Sequence, residues 1–298
     1  MTKLGLVTSV MLLSALCGSC DNSTAQQTSG DFDFQKLTKS ARGNINLSII
    51  LDVTDRIAPK KGDMKDKDLE YINNILCAFT NHILNKRLIQ IDDKITFYIC
   101  PDKGLDNYVK KLNVELKGGA GSSLTLPYIS DINIRSKTIL EELYEQRIMT
   151  GEQNHWDDGG DIIRILRDYG SDLCVQDGYE NKVIMITDGF SWEANSSTTD
   201  GGNKSNTLIP QNLKQFDHSG WENQYTDGDY GYIPLNENID ADFLILGLTK
   251  SPSGPYSYEI LKHYWAELLK DKVKTYDLLR NDSPSTLKPV IEKFIWGE

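Results

Sequence analysis

The chain has 298 residues, of which 39% are hydrophobic and 25% charged, a composition typical of a globular protein. Its formal net charge is −11 and its pI ≈ 4.9. This acidity disfavours binding to nucleic acid or to anionic lipid headgroups, because both carry dense negative charge. We therefore expect a folded acidic protein with no nucleic-acid partner.

The first 19 residues have the layout of a secretory signal peptide. Lys3 is followed by an apolar run from Leu4 to Leu16 and then by small residues. A run of this length is too short to span a bilayer stably. The sequence "LCGSC" at 16–20 resembles the lipobox of bacterial lipoproteins, although Cys17 stands where that motif usually has leucine. The resemblance implies a lipid anchor at Cys20 and a place in the bacterial cell envelope, facing the periplasm or the cell surface. Plain secretion is the alternative.

The rest of the chain divides into a short polar segment and one large domain. Residues 20–44 are polar and are predicted to form a flexible tether. Residues 45–298 are predicted to form one domain, since no linker-like break divides them. Three cysteines of this domain (Cys77, Cys100 and Cys174) lie in apolar segments and are expected to be buried free thiols. The sequence leaves one disulfide among them open.

Strand-like and helix-like patterns alternate along the domain. Continuous apolar runs predict strands at 45–52, 94–100, 182–188, 241–248 and 273–279, with a short edge strand within 108–118. Helical spacing of apolar residues predicts helices at 66–88, 136–148, 160–169, 256–272 and 286–297. This alternation indicates an α/β fold, in which helices flank a mainly parallel central sheet.

Residues 191–240 interrupt this alternation, since they contain little periodic hydrophobicity. A segment of this length without regular elements is uncommon in a compact domain, and such segments are often functional. It is rich in aromatic residues, so we expect a partly ordered insertion whose aromatics anchor a partner: Trp192, Trp221, Tyr225, Tyr230 and Tyr232.

Three polar turns are predicted to meet at one edge of the sheet. "LDVTDR" (51–56) and "ITDGF" (186–190) end two buried strands, and "WDDGGDIIRIL" (156–166) opens the helix before the second of these strands. In open α/β sheets, ligands bind beyond the carboxyl ends of the strands. Oxygen-rich turns at this position suit a hard divalent cation such as Mg²⁺ or Ca²⁺.

At these turns the chain resembles the von Willebrand factor A domain, and the order of elements matches over about 45–297. That family has a Rossmann-like fold and a metal-ion-dependent adhesion site. Asp52 matches the first aspartate of its Asp-x-Ser-x-Ser loop, Thr54 the first serine, and Asp188 the aspartate of its "TDG"-like turn. Asp161 aligns best with the loop threonine. The resemblance implies that Mg²⁺ or Ca²⁺ is held by these residues and accepts a carboxylate from a partner protein.

Two positions depart from the family pattern. Arg56 stands where the second serine is expected, and its guanidinium is a permanently charged donor that cannot bind a cation. It could pair with Asp52, Asp161 or Asp188 and so replace the metal with a salt bridge. Asp161 replaces a threonine, and it is either an oxygen ligand or only the N-cap of its helix.

Two other functions remain open beside metal-dependent protein binding. A magnesium-dependent phosphohydrolase of the haloacid-dehalogenase type also places an aspartate after its first strand, but it needs a second carboxylate where this chain has Thr54. Asp55 would point the wrong way, and no serine–histidine or cysteine–histidine arrangement is readable. We therefore do not expect an enzyme. The other alternative is a metal-free scaffold that binds through the insertion at 191–240.

Overall fold

The computed structural model describes residues 43–297, except for 88–89, 120–121, 157–158, 195–196 and 251–253. The predicted signal peptide (1–19), the predicted lipidation site Cys20 and all but the end of the predicted tether (20–44) lie outside the described residues.

The elements alternate as the apolar pattern predicts. The described strands are β1 (Ile45–Asp52), β2 (Asp92–Cys100), β3 (Val114–Lys117), β4 (Gly159–Gly160), β5 (Glu180–Ile186), β6 (Trp192–Glu193), β7 (Lys204–Ser205), β8 (Gly231–Tyr232), β9 (Ile239–Leu248) and β10 (Val273–Arg280). The described α-helices are α1 (Met64–Leu84), α2 (Asp106–Leu112), α3 (Leu126–Gln153), α4 (Ile162–Cys174), α5 (Trp221–Asp227), α6 (Ser257–Leu269) and α7 (Pro284–Trp296).

Six strands form the central sheet in the order β10-β9-β5-β1-β2-β3. All neighbours are parallel except β3, which is antiparallel to β2 at one edge. The predicted fold class is confirmed: this is a Rossmann-like α/β fold, and it is consistent with a von Willebrand factor A-like domain. From β1 the chain moves to β2 on one side, and from β5 it moves to β9 on the other. The order therefore reverses between β1 and β5, which is where open α/β sheets bind ligands.

Helices cover both faces of the sheet, as a parallel sheet requires. Alternate residues of β1 point to opposite faces, so Ile49 and Leu51 pack with α1, α3 and α7, whereas Ile50 packs with α4 and α6. This double burial explains why the strand reads as a continuous apolar run. Helix α3 is longer than the sequence predicted, because Thr125 caps a half-exposed first stretch that lacks a clear apolar stripe.

The insertion at 191–240 is ordered where it is described, and three of its five predicted aromatic anchors have a different role from the predicted one. Trp221, Tyr225 and Tyr232 are only 5%, 1% and 4% exposed, and they join the core that covers α6. Tyr225 and Tyr232 both stack edge-on against Tyr264 of α6. The prediction that these residues anchor a partner is therefore wrong, because a segment without regular strands needs its own apolar contacts to fold.

The cysteines of the described domain are free, as predicted. Cys100 and Cys174 are buried and Cys77 is half-buried. Among the described residues, no helix is both long enough and apolar enough to cross a membrane.

Candidate functional site

Asp52 is the last residue of β1, and a ring of hydroxyl and amide donors fixes its carboxylate. Thr54 donates to Asp52 Oδ1 from its backbone N at 3.1 Å and from its hydroxyl at 2.7 Å. Thr187 directly follows β5 and donates its hydroxyl to Asp52 Oδ2 at 2.7 Å. The parallel register pairs Leu51 with Ile186, so Asp52 and Thr187 come next on neighbouring strands. Strand β1 thus ends in a carboxylate that is fixed by hydrogen bonds, and not in an ordinary turn.

Asp188 lies beside this carboxylate in the turn after β5. Burial raises the pKa of Asp188 to about 7, and the negative charge of Asp52 acts in the same direction. Its Oδ1 accepts the Phe190 N–H at 3.0 Å, which closes the turn. The carbonyl of Gly189 accepts hydrogen bonds from the Tyr232 hydroxyl and the Trp265 indole, both at 2.9 Å. The insertion and α6 therefore hold the "TDG" turn in place.

Asp161 acts as the N-cap of α4. Its Oδ1 accepts the Arg164 N–H at 2.8 Å and the Ser191 hydroxyl at 3.2 Å. Its Oδ2 accepts a short hydrogen bond from the Asn206 side chain. Capping was one of the two roles that the sequence left open for this residue, and here the cap also ties the insertion to α4. Within the described residues, no group of three or more His, Cys, Asp or Glu side chains could hold a metal ion. Asp161 is therefore not gathered with Asp52 and Asp188 into such a group.

Two glycines bring the turn at 159–161 against the other two turns. A Cβ on Gly160 would lie 2.7 Å from Thr54 Cγ2 and 3.0 Å from Cys100 Sγ. Gly159 has φ +57°, and a Cβ there would lie 2.2 Å from the Trp192 carbonyl oxygen. Gly160 also pairs with Trp192 in the short β4–β6 ladder. The "GG" pair thus allows a close approach of backbones that any larger residue would prevent.

Arg56 does not pair with Asp52, Asp161 or Asp188, so that prediction is wrong. Its guanidinium forms a bidentate ion pair with Asp68 of α1, at 2.6 and 2.9 Å, and donates to the Asp52 carbonyl oxygen at 2.9 Å. Asp68 lies 12 residues further along and faces the end of β1 only because α1 packs there. Arg56 is therefore a buried support of the turn and not a substitute ligand within it.

The ion pair is embedded in contacts from α3. The Tyr144 hydroxyl donates to Asp68 Oδ2 at 2.9 Å, and Arg147 Nε donates to the Val53 carbonyl at 2.7 Å. Burial alone would lower the pKa of Arg56, but the Asp68 carboxylate raises it above its usual value. Burial raises the pKa of Asp68, yet both its oxygens accept N–H groups of the guanidinium, a geometry that requires the ionised acid. We therefore describe the pair as charged.

The oxygens at the switch point fit a hard cation with few direct protein ligands. Thr54 donates its hydroxyl proton to Asp52, which leaves the lone pairs of its own oxygen available. Asp52 Oδ2 and Asp188 retain acceptor capacity beyond the hydrogen bonds described above. The pKa of Asp188 is raised first by burial and then by the negative charge of Asp52, so a nearby positive charge would favour its ionised form. When bound, a divalent cation would supply that positive charge and an open coordination position.

No protein-family model and no curated protein matches this chain. Among solved structures, it is similar to the pilus adhesin SpaC from Lactobacillus rhamnosus GG, with 11% identity and a TM-score of 0.43 over 87% of this chain and 31% of that one. It is also similar to proximal thread matrix protein 1 from the mussel byssus (8%, TM-score 0.36, covering 86% and 49%) and to the TFIIH p34 N-terminal domain (12%, TM-score 0.31, covering 87% and 100%). The chain thus spans less than half the length of the first two.

Sequence reasoning missed two residues that shape the site. Thr187 stands inside the quoted "ITDG" motif, and its place directly after a buried strand could have marked it as a neighbour of Asp52. Asp68 carried no such signal, because an acidic residue in the first turns of an amphipathic helix is ordinary.

Proposed function

We propose that this chain is a protein-binding module whose site lies between the carboxyl ends of β1 and β5. Asp52, Thr54 and Asp188 would hold Mg²⁺ or Ca²⁺, and the cation would accept a carboxylate from a partner protein. The observation that carries the proposal is the pairing of Asp52 with Asp188 at the switch point of the sheet. Among the described residues, no cationic side chain forms a salt bridge with either carboxylate, and Arg56 contacts only the Asp52 carbonyl oxygen. A bound cation would favour the ionised form of both acids.

Binding fits this site better than catalysis does. A phosphohydrolase of the kind considered above needs a carboxylic acid two residues after its nucleophile, and here the Thr54 hydroxyl donates to Asp52 instead. The nearest candidate acid, Asp55, pairs with Lys61 at 2.5 Å on the exposed surface. We therefore propose no enzymatic activity. The metal-free scaffold also loses support, since most of the insertion's aromatics are buried.

Cation binding is tested by thermal unfolding of the chain in EDTA, Mg²⁺ and Ca²⁺. A cation that binds only the folded state raises the unfolding midpoint with concentration. We expect this shift in the wild type and its loss in Asp52→Ala and Asp188→Asn. Asp240→Asn is the matched control, because the Asp240 carboxylate is exposed and forms a surface ion pair with Lys274. An unchanged midpoint of the wild type across all three conditions would refute the cation.

The proposal extends to an anchor at Cys20 and a place in the cell envelope, with secretion as the alternative. It is supported by the sequence pattern of residues 1–20. The chain enters the sheet at Ile45, whereas Asp52 ends the same strand, about 23 Å away at the usual rise of about 3.3 Å per residue. The predicted tether would thus join the end of β1 opposite to the candidate site. Mass spectrometry of the mature protein tests this, and an unmodified N-terminus beyond Cys20 would rule lipidation out.

A further inference from the structure

Trp192 is an exposed aromatic residue at the rim of the candidate site. Its side chain is 40% exposed, whereas Trp221 in the same insertion is only 5% exposed. It lies four residues after Asp188, and its backbone pairs with Gly160 of the neighbouring turn. Trp192 therefore connects two of the three turns that build the site.

The indole ring is held in place although much of it faces solvent. A Cβ on Gly159 would lie 2.5 Å from Trp192 Cε3, so the ring rests directly on the glycine backbone. The next residue, Glu193, pairs with Arg164 of α4 at 2.7 Å. An aromatic side chain that is fixed before binding loses little conformational entropy when a partner covers it. Such residues dominate binding energy at protein interfaces.

The charge around the ring selects the chemistry of a partner. Asp52 and Asp188 repel an acidic segment unless a cation lies between them and that segment, so capture of an acid must depend on the cation. The turn carrying Gly160 touches Thr54, as shown by the 2.7 Å approach of a Cβ to Thr54 Cγ2. One short strand, β4, therefore lies between Trp192 and the proposed cation ligand Thr54. Neighbouring strands lie about 4.8 Å apart and an extended chain covers about 3.3 Å per residue, so we expect a segment that reaches across this one strand from the cation to the ring to need about two to four residues.

We propose that Trp192 is the second contact of this site and binds an apolar side chain two to four residues from the acid of an extended partner peptide. This inference rests on the proposed cation-dependent function. It defines the ligand as an acidic peptide with a nearby apolar residue, where the cation holds the acid and the indole holds the apolar group.

The test uses a phage-displayed library of random twelve-residue peptides, panned on the full chain in Mg²⁺ and eluted first with EDTA and then with acid, so that cation-independent binders are also recovered. We expect the wild type to select peptides with an acid and an apolar residue at that spacing. A selected peptide should bind Trp192→Ala at least tenfold more weakly and Trp192→Phe nearly as well. Tyr169→Ala is the matched control, because Tyr169 is an exposed aromatic of α4 (57%) outside the three turns. The unfolding midpoint of each variant checks that it is folded.

The outcomes separate this inference from the function on which it rests. EDTA-sensitive peptides that share only an acid and bind Trp192→Ala as well as the wild type would overturn the role of Trp192 and leave the cation site intact. Peptides whose binding ignores EDTA and Asp188→Asn would overturn both. A panning that enriches no sequence would also count against both, since a preformed site of this kind should select ligands from such a library.

Discussion

Arg56 and Asp68 form a bidentate ion pair in the interior, directly behind the carboxylate of the candidate site. Both side chains are buried, with exposed fractions of 1% and 0%. The same guanidinium holds the Asp52 carbonyl, so the pair links α1 to the end of β1. At the position where the von Willebrand factor A motif has a serine, this chain has an arginine whose ion-pair partner is Asp68. The guanidinium therefore forms its ion pair away from the side chains of Asp52 and Asp188.

Breaking this ion pair should destabilise the protein strongly. Arg56→Met leaves Asp68 buried without its cation, and we expect the free energy of unfolding to fall by about 3–5 kcal/mol in urea denaturation. Lys61→Ala removes an exposed pair with Asp55 and should cost at most about 1 kcal/mol. Adding Asp68→Leu to Arg56→Met should recover part of the loss. A loss below about 1 kcal/mol in Arg56→Met would contradict the buried pair.

Arg56→Ser tests whether Arg56 limits cation binding at the candidate site. A serine would match the von Willebrand factor A motif at this position, yet it would also leave the Asp68 carboxylate unpaired in the interior. We therefore expect Arg56→Ser to unfold at a lower midpoint than the wild type in EDTA, with no larger Mg²⁺-induced rise in that midpoint. Arg56→Ser combined with Asp68→Asn should keep more stability and allow a larger Mg²⁺-induced rise in the midpoint. Equal midpoints for the two variants in EDTA would show that Asp68 does not depend on Arg56.

Thr187→Val tests how the Asp52 carboxylate is oriented. The substitution removes the 2.7 Å hydrogen bond to Asp52 Oδ2 and the acceptor of the Gly189 N–H at 3.0 Å. We expect a loss of about 1–3 kcal/mol in stability, because buried polar groups lose their partners. The Mg²⁺-induced shift of the midpoint should also decrease. In the control Thr275→Val, an exposed hydrogen bond to Asp242 is lost with little effect. A Mg²⁺ shift of wild-type size in Thr187→Val would show that Thr187 does not position the site.

Gly160→Ala tests the contact between the turns. Its Cβ would meet Thr54 Cγ2 and Cys100 Sγ at 2.7 and 3.0 Å, so the turn must move away from Thr54. We expect a loss of about 1–3 kcal/mol from overpacking and a smaller cation response. Gly202→Ala is the control, since its Cβ would meet only the flexible Asp200 side chain, at 3.4 Å. If both variants unfold at the wild-type midpoint, the turns do not pack as described.

Stability should fall in acid through Asp93, at the opposite end of β1. Burial alone raises the pKa of Asp93, but hydrogen bonds from His82, Lys86 and the Ile45 N–H outweigh it and hold the pKa below its usual value. A lowered folded pKa gives stability that is present above the unfolded value of about 3.9 and is lost as pH falls through the folded value. Wild type should exceed Asp93→Asn in the free energy of unfolding by about 3 kcal/mol at pH 7.

That difference should shrink as the pH is lowered below about 4, where the carboxylate of the wild type takes up a proton. Urea denaturation of the wild type and Asp93→Asn between pH 3 and pH 7 measures this difference in the free energy of unfolding. Asp240→Asn provides the control, because Asp240 is exposed and its pair with Lys274 should contribute less than about 1 kcal/mol at any pH. A difference that does not change between pH 3 and pH 7 would contradict the lowered pKa.

Local patterns in the sequence were sufficient to predict the sheet and to predict that Asp52 and Asp188 lie at the same edge of it. Strands such as 45–52 are buried on both faces, and that burial leaves a continuous apolar run that can be read without knowing the neighbours. The carboxyl ends of parallel strands share one edge, so Asp52 and Asp188 could be placed together from strand order alone. The resemblance to von Willebrand factor A domains then supplied the expected ligand types.

Only the tertiary structure decided which partner each polar side chain takes. Arg56 had several acids within reach along the chain, and the packing of α1 against the end of β1 selected Asp68. The aromatics of 191–240 looked like a binding surface, but α6 buries most of them and leaves Trp192 exposed. The spacing of apolar residues along a helix or strand predicts which side chains are buried, because burial follows the geometry of that element. The spacing does not show which distant element packs against them. That packing partner determines the charge and the shape of the site.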